Sequence, residues 1–246
     1  GHAADMVIVD DLQSFNIQQT FIDGIKVAEQ GNTFLPTAKY EAPNRFRVSP
    51  LSPSDLEVSS GKGRLKVIKA FDGDLVTAKF LTDQVVVDGK VQTDLQNDIL
   101  KITVINRYQP SAPAIAFIHG FGLKRGALAS TVAHDSHNII CIGTDDADMV
   151  TVINSLVQCK GGIAVTDGHM TEVLALPVAG LMSDADGYTA AAKYEAINKE
   201  ALKLGGSLQA PFMTLSFMAL LVIPELKLSD KGLFDGLKFS FTGLFE

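Results

Sequence analysis

FIHGFGLKRGALASTVAHDSHNIICIGT, residues 117–144, holds three of the chain's five histidines, glycines at turn positions and a basic pair between two apolar segments. Residues 130–134 and 137–143 each have the β-branched look of a strand, and Asp135 and Ser136 between them tolerate a tight turn. This predicts a two-residue hairpin. Side chains flanking such a turn face each other, so His134 and His137 are expected side by side on one face, ahead of a Val132–Ile139 pair. Asp135, Ser136 and Asn138 share that strand end. The cluster reads either as a polar hairpin tip or as a set of side chains that touch a polar ligand. A metal site is not expected: zinc or a metal pair wants three or four ligands converging from several elements, and only scattered carboxylates, His119 and His169 remain.

Working outward, His119 closes an apolar strand (residues 114–118) and precedes Gly120-Phe121-Gly122, where backbone can approach a ligand closely. It reads as a ligand-facing residue or as part of an ordinary turn. Lys124-Arg125 is a solvated turn or an anion contact. Past residue 143 the period changes. Thr144 and Asp145 are N-cap candidates, and Met149, Val150, Ile153, Leu156 and Val157 form an apolar stripe at helical spacing that Gly161-Gly162 stops. Residues 163–166 and 169–176 flank Asp167-Gly168 as a further hairpin, with His169 a plain surface residue beside it. A second helix is predicted from Ser183 or Asp184 to Leu204, capped at Ser183 and closed by Gly205-Gly206. Residues 211–221 form a short buried helix or an apolar turn, since periodicity does not separate the two. The tail, residues 233–245, returns to strand character.

Towards the amino terminus, residues 5–10 and a second run ending in FIDGIKVAEQG form a compact β unit with Asp23-Gly24 as its turn. Prolines and serines then accumulate over residues 32–60, a connector with at most an edge strand at residues 45–48, before the next unit starts near residues 55–57. Strands at residues 64–71, 75–81 and 84–87, with turns at Asp72-Gly73 and Asp88-Gly89, predict an antiparallel meander, and residues 100–106 are another strand. Strands joined by Asp-Gly turns rather than helical crossovers make the class α+β, mainly antiparallel sheet with two or three helices.

The apolar fraction of 46% in 246 residues suffices for a real core, and the net charge of -7 argues against nucleic-acid or anionic-membrane partners. Two isolated cysteines, Cys141 and Cys159, fit a reducing compartment and read as buried small hydrophobes. The longest apolar run, residues 212–224, is too short to span a bilayer. No signal peptide is visible, and Gly1-His2 reads as a tag remnant, so a cytoplasmic, soluble protein is expected. GxSxG, P-loop, GxGxxG, HxH and HExxH motifs are all missing, as is the deaminase pattern HxE with PCxxC. The run PFMTLSFMALLVIPELKL reads as core rather than a cofactor box.

Three stretches carry a longer signal: FGLKRGALASTVAHDSHNIICIGTDDADM (residues 121–149), GLMSD (residues 180–184) and PFMTLSFMALLVIPELKLSDKGLFD (residues 211–235). Together they resemble the carboxy-terminal domain of the bacterial adenine deaminases of the amidohydrolase superfamily. ADMVIVDDLQSFNIQQTFIDGIKVAEQG (residues 4–31) is similar to the closing strands of the small β domain that flanks the catalytic barrel in amidohydrolases. The resemblance implies closing strands and linker in residues 1–50 and the carboxy-terminal α+β domain in residues 51–246. It implies hydrolysis of adenine to hypoxanthine and ammonia in purine salvage, by a water activated on divalent manganese or iron. In that family a barrel with an HxH motif holds the metal, and that barrel is not in this sequence. No family metal ligand carries over, the chain alone is expected to be inactive, and a homo-oligomer is expected. His119, His134, Asp135, Ser136, His137 and Asn138 are then the residues to present to adenine at the barrel mouth. A non-catalytic ligand-binding or oligomerisation module is the alternative.

Overall fold

The computed structural model describes residues 1–36 and 42–246, and the part of the predicted connector at residues 37–41 lies outside them. The chain divides into two compact units, Gly1–Glu41 and Ala42–Glu246.

In the first unit β1 (Met6–Val9), β2 (Ile17–Ile22), β3 (Ile25–Glu29) and β4 (Asn32–Thr33) form one antiparallel sheet in sequence order. Asp23 and Gly24 both take positive φ, 51° and 76°, the geometry of a two-residue turn whose twist matches the strands it joins. Little of this sheet is covered. Met6, Ile8, Ile17, Ile22 and Ile25 are all exposed, and Val27 is the one buried apolar residue among those described.

The second unit is built on an eight-stranded sheet. Its strands are β5 (Leu65–Lys69), β6 (Ala78–Thr82), β9 (Leu100–Ile105), β10 (Ala114–His119), β11 (Ala127–Ser130), β12 (Ile139–Gly143), β13 (Gly162–Thr166) and β14 (Thr171–Ala175), in the order β14-β13-β11-β12-β9-β10-β5-β6. Every pairing is antiparallel except that of β10 with β5. The class is the α+β expected, with one parallel pair that turn chemistry did not announce. Between β6 and β9, β7 (Val85–Val87) and β8 (Lys90–Gln92) make a separate hairpin through Asp88-Gly89. The predicted meander is therefore divided between two sheets.

Both faces of the large sheet are covered, which is why its central strands read as continuous apolar runs. On one face lies α1 (Asp146–Cys159), packed on β11, β12 and β13. Met149, Val152, Ile153 and Leu156 meet a floor of small residues, Ala127, Ala129, Cys141 and Ala164. Gly143 belongs to that floor: a Cβ there would stand 2.4 Å from Met149 Cγ. Asp145 caps the helix by accepting from the Asp148 N–H, and Lys160, left-handed with φ 57°, ends it ahead of Gly161. Val152 takes the buried position that the predicted stripe gave to Val157, which is half-buried. Cys141 is buried, whereas Cys159, expected to be buried as well, is only partly so.

On the opposite face lie α2 (Gly187–Lys203), α3 (Pro211–Phe217) and the small sheet β15 (Leu226–Ser229), β16 (Gly232–Asp235) and β17 (Ser240–Phe241). Ile197, Leu204, Phe212, Leu215, Leu226 and Leu233 close over Ile140, Ile142, Leu128 and Ile102. The second helix starts later than predicted. Ser183 Oγ accepts from the Ala185 N–H and makes a local turn, while the Asp186 carboxylate takes the Tyr188 and Thr189 N–H groups and is the true cap. Residues 211–217 resolve as helix. Residues 45–48 form no strand; Arg47 N–H donates to Arg107 O, and the segment runs on to a single 3-10 turn at Pro53–Leu56.

Candidate functional site

The predicted two-residue hairpin is a wider structure. β11 and β12 do pair, but the ladder ends at Ser130↔Ile140, so residues 131–138 form a loop and Val132 does not face Ile139. The His137 N–H donates to Ala133 O at 2.7 Å and closes the turn, with His137 itself left-handed at φ 51°. His134 and His137 still come together, their ring centroids 6.3 Å apart. What orders His134 is not its cross-strand neighbour but α3. Its ring stacks on Phe217 at 4.6 Å and 15°, and its N–H donates to Ser216 O.

Asp135 and Ser136 are exposed at the tip, with the Asp135 carboxylate 3.7 Å from His134 Nδ1. Asn138 is buried, and its Oδ1 accepts the Arg107 N–H. Burial holds the His137 imidazole below its ordinary range; the charges of His134 and Arg107 act in the same direction and Asp135 opposes them. Its Nδ1 is buried without a hydrogen-bond partner. A neutral imidazole offers one donor and one acceptor nitrogen.

Two recesses flank the pair. One of about 340 Å³ is lined by His134, Tyr194, Phe212, Met213, Val132 and the hydroxyl residues Ser130 and Ser216. The other, about 320 Å³, lies on the His137 side between Arg107, Tyr108, Asn44 and Leu181. Arg107 is the residue that sequence patterning did not single out: one cation just past a strand looks like any solvated one. It is only 3% exposed.

His119 stands apart from this group. β9 pairs Ile105 with Ile139 and Leu100 with Ile118, so the loop lies beyond one end of that strand and His119 beyond the other. The separation is a six-residue strand, roughly 17 Å. The His119 ring meets Phe80 edge-on at 5.5 Å. Close backbone approach does occur at Gly120, but towards the protein itself: with φ +105°, its absent Cβ leaves room for the Ala70 carbonyl. The Gly120 and Gly122 N–H groups both donate to the Asp98 carboxylate. Lys124 and Arg125 are exposed, and Arg125 lines a separate cleft of about 290 Å³ with Asp167, Glu172, Glu200 and Lys203. His169 is exposed on the β13–β14 turn.

Residues 74–240 match the family of the adenine deaminase C-terminal domain. The chain belongs to that family. Across its whole length it is similar to proteins named adenine deaminase, 46% identical to that of Salinibacter ruber over 248 residues and 48% identical to that of Methanosarcina mazei over 257. The chain spans 45% and 46% of those relatives, less than half of each. The divalent metal expected of the family finds no fitting donor set here: among the described residues no three His, Cys, Asp or Glu side chains converge to hold an ion. Around His134 and His137 too, no such set of three forms among the described residues. No helix among the described residues is long and apolar enough to cross a membrane.

Proposed function

We propose that the chain is the carboxy-terminal region of an adenine deaminase, which hydrolyses adenine to hypoxanthine and ammonia in cytoplasmic purine salvage. The observation that carries this reading is identity of 46–48% along the entire chain to proteins of that name. Manganese or iron is held outside the residues of this chain, and the 131–138 loop faces the purine. His134 and His137 there contact the ring edge. The chain alone does not turn over.

The open first unit supports the same reading. A four-stranded sheet with one buried apolar residue among those described has too little core to stand by itself, and it fits the closing strands of a larger β domain. An ammonia-release assay with adenine is the test, run on this chain loaded with manganese or iron and on a protein of the relatives' full length that carries it. Turnover by the isolated chain would sink the claim that it is incomplete. A full-length protein that binds adenine no better than an unrelated purine would remove the substrate assignment.

A second reading, assembly into a homo-oligomer, is favoured by the β16–β17 turn, where Leu237 and Phe239 are 71% and 72% exposed and Phe241 is exposed beside them. Large apolar side chains gathered on one surface element mark interaction sites. Sedimentation of the unsubstituted chain and of a Leu237→Lys, Phe239→Lys variant decides it: a shift to monomer in the variant supports assembly there, and identical profiles remove it.

A further inference from the structure

All five N–H groups of the Arg107 guanidinium are used, and on neutral acceptors. Nε donates to His137 O, one terminal nitrogen to Asn44 Oδ1 and Arg45 O, and the other to Tyr108 Oη and Ala179 O. A guanidinium has five such donors in a rigid fork, so none remains for a ligand. The acceptors come from the connector, the 131–138 loop and the Val178–Met182 turn, segments remote in sequence. Tyr108 extends the fork: the cation lies over its ring at 4.5 Å, and its hydroxyl donates to Ser136 O. Gly180 packs against the group, where a Cβ would stand 2.9 Å from a terminal nitrogen. The backbone N–H of Arg107 meanwhile holds Asn138 Oδ1.

We propose that Arg107 is the positioning residue of the His134–His137 loop, its buried fork clamping the carbonyls of His137 and, through Tyr108, Ser136, so that both imidazoles stand at a fixed place and orientation. Within the loop the His137 side is held by the single turn bond from the His137 N–H to Ala133 O, so the fork supplies its ties to the rest of the domain. Phe217 orders the His134 side by stacking. Lysine cannot replace the arginine, because an ammonium's three donors radiate from a single nitrogen and do not reach the five acceptors that the guanidinium spans with three. The guanidinium also places a cation behind His137, whose other charged or titratable neighbours are His134, Asp135, Tyr108 and Arg45. The kinetic consequence rests on the reading that this loop faces substrate; the structural one does not.

The test uses Arg107→Lys and Arg107→Met in the 246-residue chain, with amide hydrogen exchange and imidazole titration by NMR. Exchange at the His137 amide should quicken by about tenfold or more in both variants while α1 keeps its protection, and the His137 pKa should rise in Arg107→Met. Should Arg107→Met fail to fold, Tyr108→Phe removes only the hydroxyl at a partly exposed position and should loosen Ser136 and His137 alone. Unchanged exchange and titration in every folded variant would overturn the proposal. In a protein of the relatives' full length, Arg107→Lys should lower kcat more than it changes KM, and free guanidinium should restore part of an Arg107→Gly loss. A loosened loop with unaltered kinetics would leave the clamp standing and remove the substrate-facing reading instead.

Discussion

His134 lies face to face with Phe217, ring centroids 4.6 Å apart and planes 15° from parallel, so the loop meets α3 through a stacked pair of rings. The loop is therefore tied to the far layer of the domain rather than standing free at the end of a hairpin.

Replacing His134 or His137 with Gln is expected to cost little stability, about 1 kcal/mol, with His134 the larger because an aromatic pair is lost. If the loop contacts purine, kcat and kcat/KM of the full-length enzyme should fall together by about tenfold or more, since about 1.4 kcal/mol is one decade in rate. His169→Gln, on a different turn, is the control and should leave both constants alone. Steady-state kinetics with melting curves make the comparison. Unsubstituted kinetics from both loop variants would return the cluster to a polar turn.

Ile153 is fully buried between α1 and the small-residue floor of β11, β12 and β13. Ile153→Ala should cost about 2 to 5 kcal/mol, because the close-packed floor cannot collapse into the space left. Val157→Ala, half-buried on the same helix, should cost less. Urea unfolding curves measure both, and equal losses would contradict the packing described.

Gly120→Ala should destabilise by about 2 kcal/mol or more, since its Cβ would fall 2.3 Å from the Ala70 carbonyl oxygen at φ +105°. Gly73 has φ +70° with nothing within 4 Å of a built Cβ, so Gly73→Ala carries conformational strain alone, about 1 kcal/mol. Thermal melts of the two variants separate contact from conformation. A Gly120→Ala protein as stable as Gly73→Ala would refute the contact.

His137 makes stability depend on pH in a set direction. The unfolded chain takes up its proton near pH 6.5, while the folded protein resists until lower pH because burial depresses the imidazole. Its share of stability is full above pH 6.5 and is lost as pH falls from there to the depressed folded value. Denaturant midpoints at about pH 7.5 and about pH 5.5 should therefore differ less in His137→Asn than in the unsubstituted chain. An acid loss of the same size in both would show the imidazole to be unperturbed.

Some local signals carry through to the structure, while others, such as the Ser183 cap and the Asp135-Ser136 turn, do not. The Asp145 cap, the Met149–Ile153–Leu156 stripe and the glycine stop define α1 within one turn of the helix. Asp-Gly dipeptides carry the two tight turns at residues 23–24 and 88–89 because the chemistry that permits positive φ resides in those residues themselves. The α+β class and the family resemblance follow from such signals over long stretches. The loop at residues 131–138 does not. Its width, the burial of Arg107 and the separation of His119 from His134 depend on partners up to 72 residues away from Arg107, and on which strands β9 pairs with. The parallel β5–β10 pair has the same origin. A sequence declares its own torsional preferences and apolar period; which distant carbonyls satisfy a buried guanidinium is settled only when the layers close and water is gone.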